Sequence, residues 1–271
     1  LYNNNSDVTV IHSNFNNNTV TSNGTAFGGA IYNSGGSVTV NNSTFNNNTA
    51  NGNHVYGGAI YSGSVTVNNS IFNNNTAHGD ESGYGGAIHG VSVTVNNSIF
   101  NNNTATGGYS KAGAIYSVSV TVTNSTFTNN TAHGDEKGYG GAIYNINYDV
   151  TVTNSTFNNN TADENGGAIY SYGGSVTVTN STFTNNTVHG DENGYGGAIY
   201  NEFGGVTVTT STFNNNIADE NGGAISSYRG SVTVTNSTFN NNIANENGGA
   251  IYNNNSDVTV LHSNFQNNTV T

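Results

Sequence analysis

The chain has 271 residues, a net charge of −12 with only three basic residues, and no Cys, Pro, Met or Trp. So few Lys and Arg cannot neutralise a phosphate backbone, which excludes nucleic acid as a partner. The lack of Cys excludes disulfides and thiolate metal sites, and no apolar run is long enough to span a membrane.

One sequence pattern recurs ten times along the chain. A typical copy, residues 28–50, reads G-G-A-I-Y, a spacer, S-V-T-V, N-S-T-F and N-N-T-A, and the first copy lacks its opening glycines. The Phe of each copy follows the previous Phe by 26–30 residues. A period of this length predicts a stacked array of repeats rather than a conventional globular domain.

Two of the three segments in each repeat have the spacing of β-strands. The Ala of G-G-A lies six or eight residues before the first Val of V-T-V, and never seven. An even change keeps side chains on the same face of a strand, whereas an odd change would reverse them. The first Val then lies seven residues before Phe in every copy, which indicates one fixed backbone path.

The third segment varies in length and is predicted to be a true loop. Phe is followed by the next Ala after 11, 14 or 15 residues, without any parity rule. Length variation at one place in each repeat is how insertions occur in solenoids. Most acidic residues lie in this segment.

These patterns predict an all-β fold, a parallel β-helix of about ten coils with three short strands per coil. Val, Ile, Thr, Tyr and Phe dominate the regular segments, with Gly and Asn at their boundaries. Ten coils spaced about 4.8 Å apart would make a rod of roughly 45–50 Å. We expect residues 1–271 to form a single array.

Alternation along the strands predicts which side chains face the interior. Val38, Val40, Phe45 and Ile31 are expected to point inward, with Thr39 outward. The residue after Ile is Tyr in most copies but His or Ser in two, which indicates an exposed column. The alternative places that Tyr and the preceding Ala inward.

A Ser two residues before Phe and a pair of Asn after it occur in all ten copies, as in Ser43 and Asn47–Asn48. Asn at the same corner of successive coils can form a hydrogen-bonded ladder, and Asn tolerates the left-handed backbone of a tight corner. We expect Asn159 to lie in the middle of this ladder. The same repeat generates many Asn-x-Ser/Thr patterns, so we expect few glycosylated sites.

The two ends of the sequence are nearly identical. Residues 1–21 match residues 251–271 at 18 of 21 positions. A finite stack exposes strand edges and normally needs caps. We therefore interpret the chain as a segment of a longer array, or as a unit that stacks end to end on copies of itself.

The motif pair G-G-A-[IL] and F-x-N-N runs from residues 28–31 with 45–48 to residues 248–251 with 265–268, and one copy departs as Ala112-Gly113-Ala114. It resembles the repeats of chlamydial polymorphic outer-membrane proteins, and equally the adhesin-like surface proteins of methanogenic archaea. The resemblance covers the whole chain. It implies a right-handed parallel β-helix on a cell surface, with a role in adhesion or surface architecture.

The predicted function is therefore that of a structural, extracellular or cell-surface β-solenoid, either an adhesin or a fibre. Its expected partners are other copies of the chain, surface glycans or a host surface. Polysaccharide-active enzymes also use parallel β-helices, but they need carboxylates or basic residues that converge on one groove. Here the acids lie in a repeated loop, so we predict no enzyme activity.

The acidic loops are candidates for binding calcium, the one cofactor considered. Loops of consecutive coils would place their carboxylates near one another, and Ca²⁺ accepts several oxygen ligands. The alternative interpretation is that these acids are solvated and keep the rod soluble. The candidate ligands are Asp163, Asp191, Asp219, Glu164, Glu192 and Glu220.

Ice binding is an alternative function. Five successive coils carry T-x-T, and alternation would point both Thr outward in two flat columns. Known ice-binding β-helices present such arrays. The pairs are Thr121/Thr123, Thr151/Thr153, Thr177/Thr179, Thr207/Thr209 and Thr233/Thr235.

Overall fold

The computed structural model describes residues 1–190 and 193–271. In this part of the chain all regular structure is β-strand, arranged in three parallel sheets that run along a solenoid of about ten coils. The predicted fold class and the three strands per coil are confirmed. No helix in this part of the chain is long and apolar enough to cross a membrane.

Each sheet takes one side of every coil, and in eight coils the first sheet takes two short strands. Within the described residues the first sheet contains Tyr2–Asn3, Val8–Ile11, Ile31–Asn33, Ser37–Asn41, Ile60–Asn68, Ile88–Asn96, Ile115–Ser117, Ser119–Thr123, Ile143–Ile146, Val150–Thr153, Ile169–Tyr172, Val176–Thr179, Ile199–Glu202, Val206–Thr209, Ile225–Tyr228, Val232–Thr235, Ile251–Asn254 and Val258–Leu261. The second contains Asn14–Asn16, Thr44–Asn46, Ile71–Asn73, Ile99–Asn101, Thr126–Thr128, Thr156–Asn158, Thr182–Thr184, Thr212–Asn214, Thr238–Asn240 and Asn264–Gln266. The third contains Thr19–Thr21, Thr25–Phe27, Thr49–Tyr56, Thr76–Tyr84, Thr104–Lys111, Thr131–Tyr139, Thr161–Ala162, Thr187–Val188, Ile217–Ala218, Ile243–Ala244 and Thr269–Val270.

The interior is built from columns of identical side chains. Strand pairing joins equivalent residues of successive coils, so that Val38 pairs with Val65 and Phe45 with Phe72. The ten Phe rings stack with centroids 4.7–4.8 Å apart and planes within 3° of parallel. This spacing is that of hydrogen-bonded strands, so the backbone repeat fixes the side-chain repeat.

The predicted inward residues are confirmed, and the alternative for the Tyr position is wrong in part. Ile31, Val38, Val40 and Phe45 are completely buried, and the small Ala of G-G-A is buried beside them. Tyr32 lies on the outer side of its strand and is half-buried. The prediction of an exposed Tyr column also needs correction, because aromatic rings of neighbouring positions cover the Tyr residues of this column in part.

The G-G-A corner requires its two glycines for different reasons. The first glycine has a positive φ, for example +74° at Gly57, a conformation that side chains with a Cβ disfavour. The second lies against the backbone of the next coil, where a Cβ on Gly58 would meet the carbonyl oxygen of Gly86 at 2.0 Å. Ala112 is the exception, because it keeps the positive φ of +63° with a side chain present.

The second Asn of each pair and the Ser form two ladders along the interior, which confirms that these invariant polar positions are structural. This Asn is buried in every coil except the first and last, and its Nδ2 donates to Oδ1 of the equivalent Asn in the next coil, as between Asn160 and Asn186 at 3.0 Å. Ser155 likewise donates its backbone N–H to the Ser181 hydroxyl, at 3.0 Å. These bonds satisfy polar groups that burial would otherwise leave unpaired.

The first Asn of each pair has a different role, which corrects the place assigned to Asn159. Asn159 is exposed and has a φ of +54°, so it turns the corner and does not belong to the ladder. Asn is among the few residues that adopt this conformation at low cost. The ladder member in that coil is Asn160.

The prediction of a true loop in the third segment is wrong for four coils. Thr49–Tyr56, Thr76–Tyr84, Thr104–Lys111 and Thr131–Tyr139 are strands of the third sheet. Their lengths differ, and the register shifts between His78 and Ser82 against the neighbouring strand. Consecutive loops have similar lengths in this half of the chain, so their backbones can pair, with a bulge taking up the extra residue.

Candidate functional site

Two columns of large side chains flank the G-G-A corner on the outside of the solenoid. The first, here called the stacked column, contains the residue after Ile in each coil. Its members are Tyr2, Tyr32, Tyr61, His89, Tyr116, Tyr144, Tyr170, Tyr200, Ser226 and Tyr252. The second, here called the flanking column, contains the residue before the corner. Its members are Phe27, Tyr56, Tyr84, Lys111, Tyr139, Asn165, Tyr195, Asn221 and Asn247.

In-register pairing places consecutive rings of the stacked column in contact. Tyr144 and Tyr170 stack with centroids 4.8 Å apart and planes 3° from parallel, and Tyr116 lies 5.3 Å from Tyr144. Rings of the flanking column pack against them, as Tyr139 does at 5.2 Å from Tyr170. Tyr144, Tyr170 and Tyr200 consequently retain only 5–8% of their exposure. The result is an aromatic surface that is continuous from Tyr2 to Tyr200.

Burial disfavours the charged form of the Tyr hydroxyls in this surface. Desolvation raises the pKa of Tyr116 to about 12 and raises the pKa of Tyr144 and Tyr170 further. The Tyr170 hydroxyl donates to the Glu202 carboxylate at 2.9 Å. Lys111 places its ammonium 4.9 Å from the Tyr144 ring centroid, a cation–π contact, and burial lowers its pKa.

Two coils interrupt the Tyr series of the stacked column. His89 keeps the stack, with centroids 5.1 Å from Tyr61 and 4.6 Å from Tyr116. Burial lowers its pKa to about 4, and its Nδ1 has no hydrogen-bond partner. Ser226 breaks the stack, and an open pocket of about 200 Å³ lies there between Tyr200 and Tyr252.

The acidic residues proposed as calcium ligands pair largely with neighbouring groups. Asp163 accepts hydrogen bonds from the Gly134 backbone at 2.8 Å and lies 2.7 Å from His133 Nδ1. Glu164 lies 3.9 Å from Lys137, and burial raises the pKa of its carboxyl. These contacts hold both carboxylates against neighbouring groups, so Asp163 and Glu164 are not fully solvated.

The later coil repeats this arrangement more loosely. Asp219 lies 3.9 Å from His189 Nδ1, and the backbone N–H of Glu220 donates to the Gly194 carbonyl. Asp191 and Glu192, the other two candidate ligands, lie outside the described residues. Among residues 1–190 and 193–271 no three His, Asp or Glu side chains form a group suited to a metal ion. Calcium binding by the set of six residues stays a prediction.

The Thr columns predicted for ice binding are in register. Thr121 pairs with Thr151, and the series continues through Thr177, Thr207 and Thr233. Each of these Thr lies between two buried Val on its strand, so it points outward. The second Thr of each pair is also only partly covered. The sequence pattern therefore places ten hydroxyls on one sheet face.

Sequence reasoning missed the aromatic surface as a site. The Tyr series was recognised as a column, but its contact with the flanking column depends on how the corner folds, which spacing alone does not show. The sequence does contain one indication of the pocket, because Ser226 is the single Ser in a series of eight Tyr and one His.

The three sheets, the interior ladders and the aromatic outer surface define a parallel β-solenoid repeat protein. The Chlamydia polymorphic membrane protein repeat matches seven segments, which together cover more than half of the chain: residues 42–63, 69–91, 124–146, 154–172, 180–202, 210–228 and 236–254. The chain belongs to this repeat family, as its motif pair predicted. The family is one of surface or outer-membrane, adhesin-like proteins, and it is not a family of enzymes. No curated protein and no solved structure matches the chain.

Proposed function

We propose that this chain is a structural, adhesin-like β-solenoid that acts outside the cell, at its surface. The observation that carries the proposal is the family repeat over more than half of the chain, combined with an aromatic surface on the outside of the rod from Tyr2 to Tyr200. Aromatic side chains are enriched where proteins bind partners, because a rigid ring buries a large area at little entropic cost.

The chemistry of the described residues supports a binding role over catalysis. The buried Asn of the ladder use their amide groups in bonds to neighbouring coils, as Asn160 does, which leaves little of their hydrogen-bonding capacity free. The isolated carboxylates have separate partners: Asp149 accepts from the Ser175 backbone and Glu202 from the Tyr170 hydroxyl. Release of reducing ends from polysaccharides incubated with the purified chain would contradict this assignment.

Adhesion can be tested with beads that carry the purified 271-residue chain. We expect such beads to attach to glycan-bearing cell monolayers several times more often than beads carrying a β-solenoid without the aromatic surface. Antibodies against the chain should label intact, unpermeabilised cells that express the whole protein. Attachment equal to the control, together with labelling only after permeabilisation, would overturn the proposal.

A fibre role is the second candidate, and the coil geometry supports it. Equivalent strands of successive coils pair in register along the described part of the chain, as Val232–Thr235 does with Val258–Leu261, so one coil is a template for another. A second copy could continue the same columns, in a head-to-tail contact that does not close. Negative-stain imaging at increasing concentration distinguishes the roles, because a fibre grows in length and an adhesin that acts alone does not.

Ice binding remains a further proposal, supported by the in-register Thr columns. The columns are regular in only half of the coils, since the second position is Asn, Ile or Leu elsewhere. Thermal hysteresis measured on the purified chain tests it. Substituting Thr177 and Thr207 by Tyr should abolish any hysteresis without affecting bead attachment.

A further inference from the structure

The pocket at Ser226 results from a single missing ring. Residues 162–180 and 218–236 have the same sequence except at two positions, where Tyr170 and Gly173 become Ser226 and Arg229. In the earlier coil the Tyr170 ring fills the place between Tyr144 and Tyr200. In the later coil the backbone register is unchanged, and Ser226 pairs with Tyr200 on one side and Tyr252 on the other.

The dimensions of the pocket are those of one ring. Tyr200 and Tyr252 belong to coils two steps apart, and two steps of strand spacing are roughly 9.5 Å. This backbone spacing leaves room for one ring between side chains of the two outer coils, as the Tyr170 ring occupies in the earlier coil. The volume of about 200 Å³ is smaller than the ~300–1,000 Å³ of pockets that enclose drug-sized ligands. A single six-membered ring fits, and an extended oligomer does not.

The lining of the pocket combines aromatic faces with hydrogen-bonding groups. Tyr200, Tyr228 and Tyr252 supply rings, while Glu202 and Asn254 supply a carboxylate and an amide at the edge. The Tyr170 hydroxyl occupies one oxygen of Glu202, at 2.9 Å. A carboxylate has more than one acceptor position, so it can still accept from a ligand hydroxyl.

From this lining we infer that the Ser226 pocket binds one neutral hexopyranose ring, placed between Tyr200 and Tyr252. The C–H groups on a pyranose face carry partial positive charge and suit the negative faces of the Tyr rings. Its hydroxyls donate to Glu202 and exchange hydrogen bonds with Asn254. The inference rests on the proposed adhesin function and assigns that function a glycan residue.

Two other ligand classes fit the lining less well. An aromatic side chain of a partner would stack on the Tyr rings but would offer no hydrogen bond to the second oxygen of Glu202 or to the Asn254 amide, which is unfavourable once water is displaced. An acidic sugar would bring a second negative charge beside Glu202, on a chain whose net charge is −12. The guanidinium of Arg229 already lies over Tyr228, 4.8 Å from its centroid.

The inference can be tested by saturation-transfer NMR on the purified chain with methyl glucoside, methyl galactoside and methyl mannoside. Two further probes, p-cresol and glucuronic acid, represent an aromatic side chain and an acidic sugar. We expect at least one neutral glycoside to receive saturation at its ring C–H protons. Ser226→Tyr should restore the stack and weaken that binding at least tenfold. Ser226→Ala, the matched control, leaves the pocket open and should bind as the wild type does.

A second variant tests the inference by a gain of glycoside binding instead of a loss. Tyr170→Ser should open an equivalent pocket between Tyr144 and Tyr200 and raise the number of bound glycosides per chain from one to two.

Equal binding by wild type and Ser226→Tyr, or binding of p-cresol or glucuronic acid without any neutral glycoside, overturns the inference. If Ser226→Tyr abolishes glycoside binding while bead attachment is unchanged, the pocket stands and the adhesive surface lies elsewhere. If no glycoside binds but beads attach, the adhesin function stands and the pocket assignment fails.

Discussion

The interior Phe column and the external stacked column follow the same coil spacing, yet they differ in how much variation they accept. Phe occupies its position in all ten coils, and the rings stack within 3° of parallel. In the stacked column two coils carry His89 and Ser226 instead of Tyr, and the angle between the planes of adjacent Tyr rings varies from 3° to 74°. A missing ring inside would leave a cavity between two coils, whereas a missing ring outside leaves a pocket that water or a ligand can fill. The outside of the rod is therefore where individual coils can acquire their own binding properties.

The largest effect is expected inside the rod. Phe157→Ala should reduce the free energy of unfolding by about 3–5 kcal/mol, because the ring is completely buried between Phe127 and Phe183. Thr177→Ala, on an exposed strand position, is the control and should cost less than about 0.5 kcal/mol. Urea unfolding followed by circular dichroism measures both. Similar losses for the two variants would contradict the burial difference.

The next effect tests the Asn ladder. Asn160→Ala removes the acceptor for the Asn130 side chain and backbone N–H, and the donor to the Phe127 carbonyl. Buried groups left unpaired cost about 1–3 kcal/mol each, and we expect a total loss of roughly 3 kcal/mol. Asn158→Thr is the control, since Thr184 occupies the equivalent position in the next coil. A loss at position 160 no larger than at 158 would mean that the ladder contributes no stability.

A pH-dependent effect is expected at His89. Its folded pKa of about 4 is below its ordinary value of 6.5, so the unfolded chain binds more protons between these values. Stability from the neutral ring is present above pH 6.5 and is lost as pH falls toward 4. His89→Tyr, which restores the residue of most other coils, should remove this loss. We expect the difference between the melting temperatures of variant and wild type to widen from pH 7 to pH 4, and a constant difference would contradict the burial of His89.

The smallest effect is expected at the pocket. Ser226→Tyr adds two ring contacts, each worth about 0.5–1.5 kcal/mol, and the ordering of one side chain offsets part of this gain. We expect the free energy of unfolding to rise by about 1 kcal/mol. The control is Ser256→Tyr, at an exposed turn position with no stacked neighbour, which should have no effect. A destabilised Ser226→Tyr would mean that the gap is too narrow for a ring.

The fold was predictable from the sequence because it depends on residues at fixed spacing. Six- and eight-residue gaps identified strands on both sides of the spacer, and the invariant Val and Phe identified the interior. The distinct roles of Asn159 and Asn160 could not be separated, because adjacent Asn look alike until the backbone angle at the corner is known. The strands at Thr49–Tyr56 and Thr76–Tyr84 depend on pairing with neighbouring coils, which has no local signal. Identifying the pocket required both the sequence and the structure. The sequence shows that one Tyr is missing, and only the packing shows which residues surround the gap.

The coil-to-coil pairing also has a mechanical consequence. Each strand pairs with the equivalent strands of the coils before and after it, so a pull along the axis loads the boundaries between coils in series. Opening one boundary shortens the rod by about 5 Å and releases 26–30 residues, which extend to roughly 85–110 Å. Because coils in such arrays interact mainly with their neighbours, the remaining coils stay folded. Under tension the protein would lengthen in steps and dissipate mechanical work. This behaviour suits a tether that links a surface to a particle attached to it.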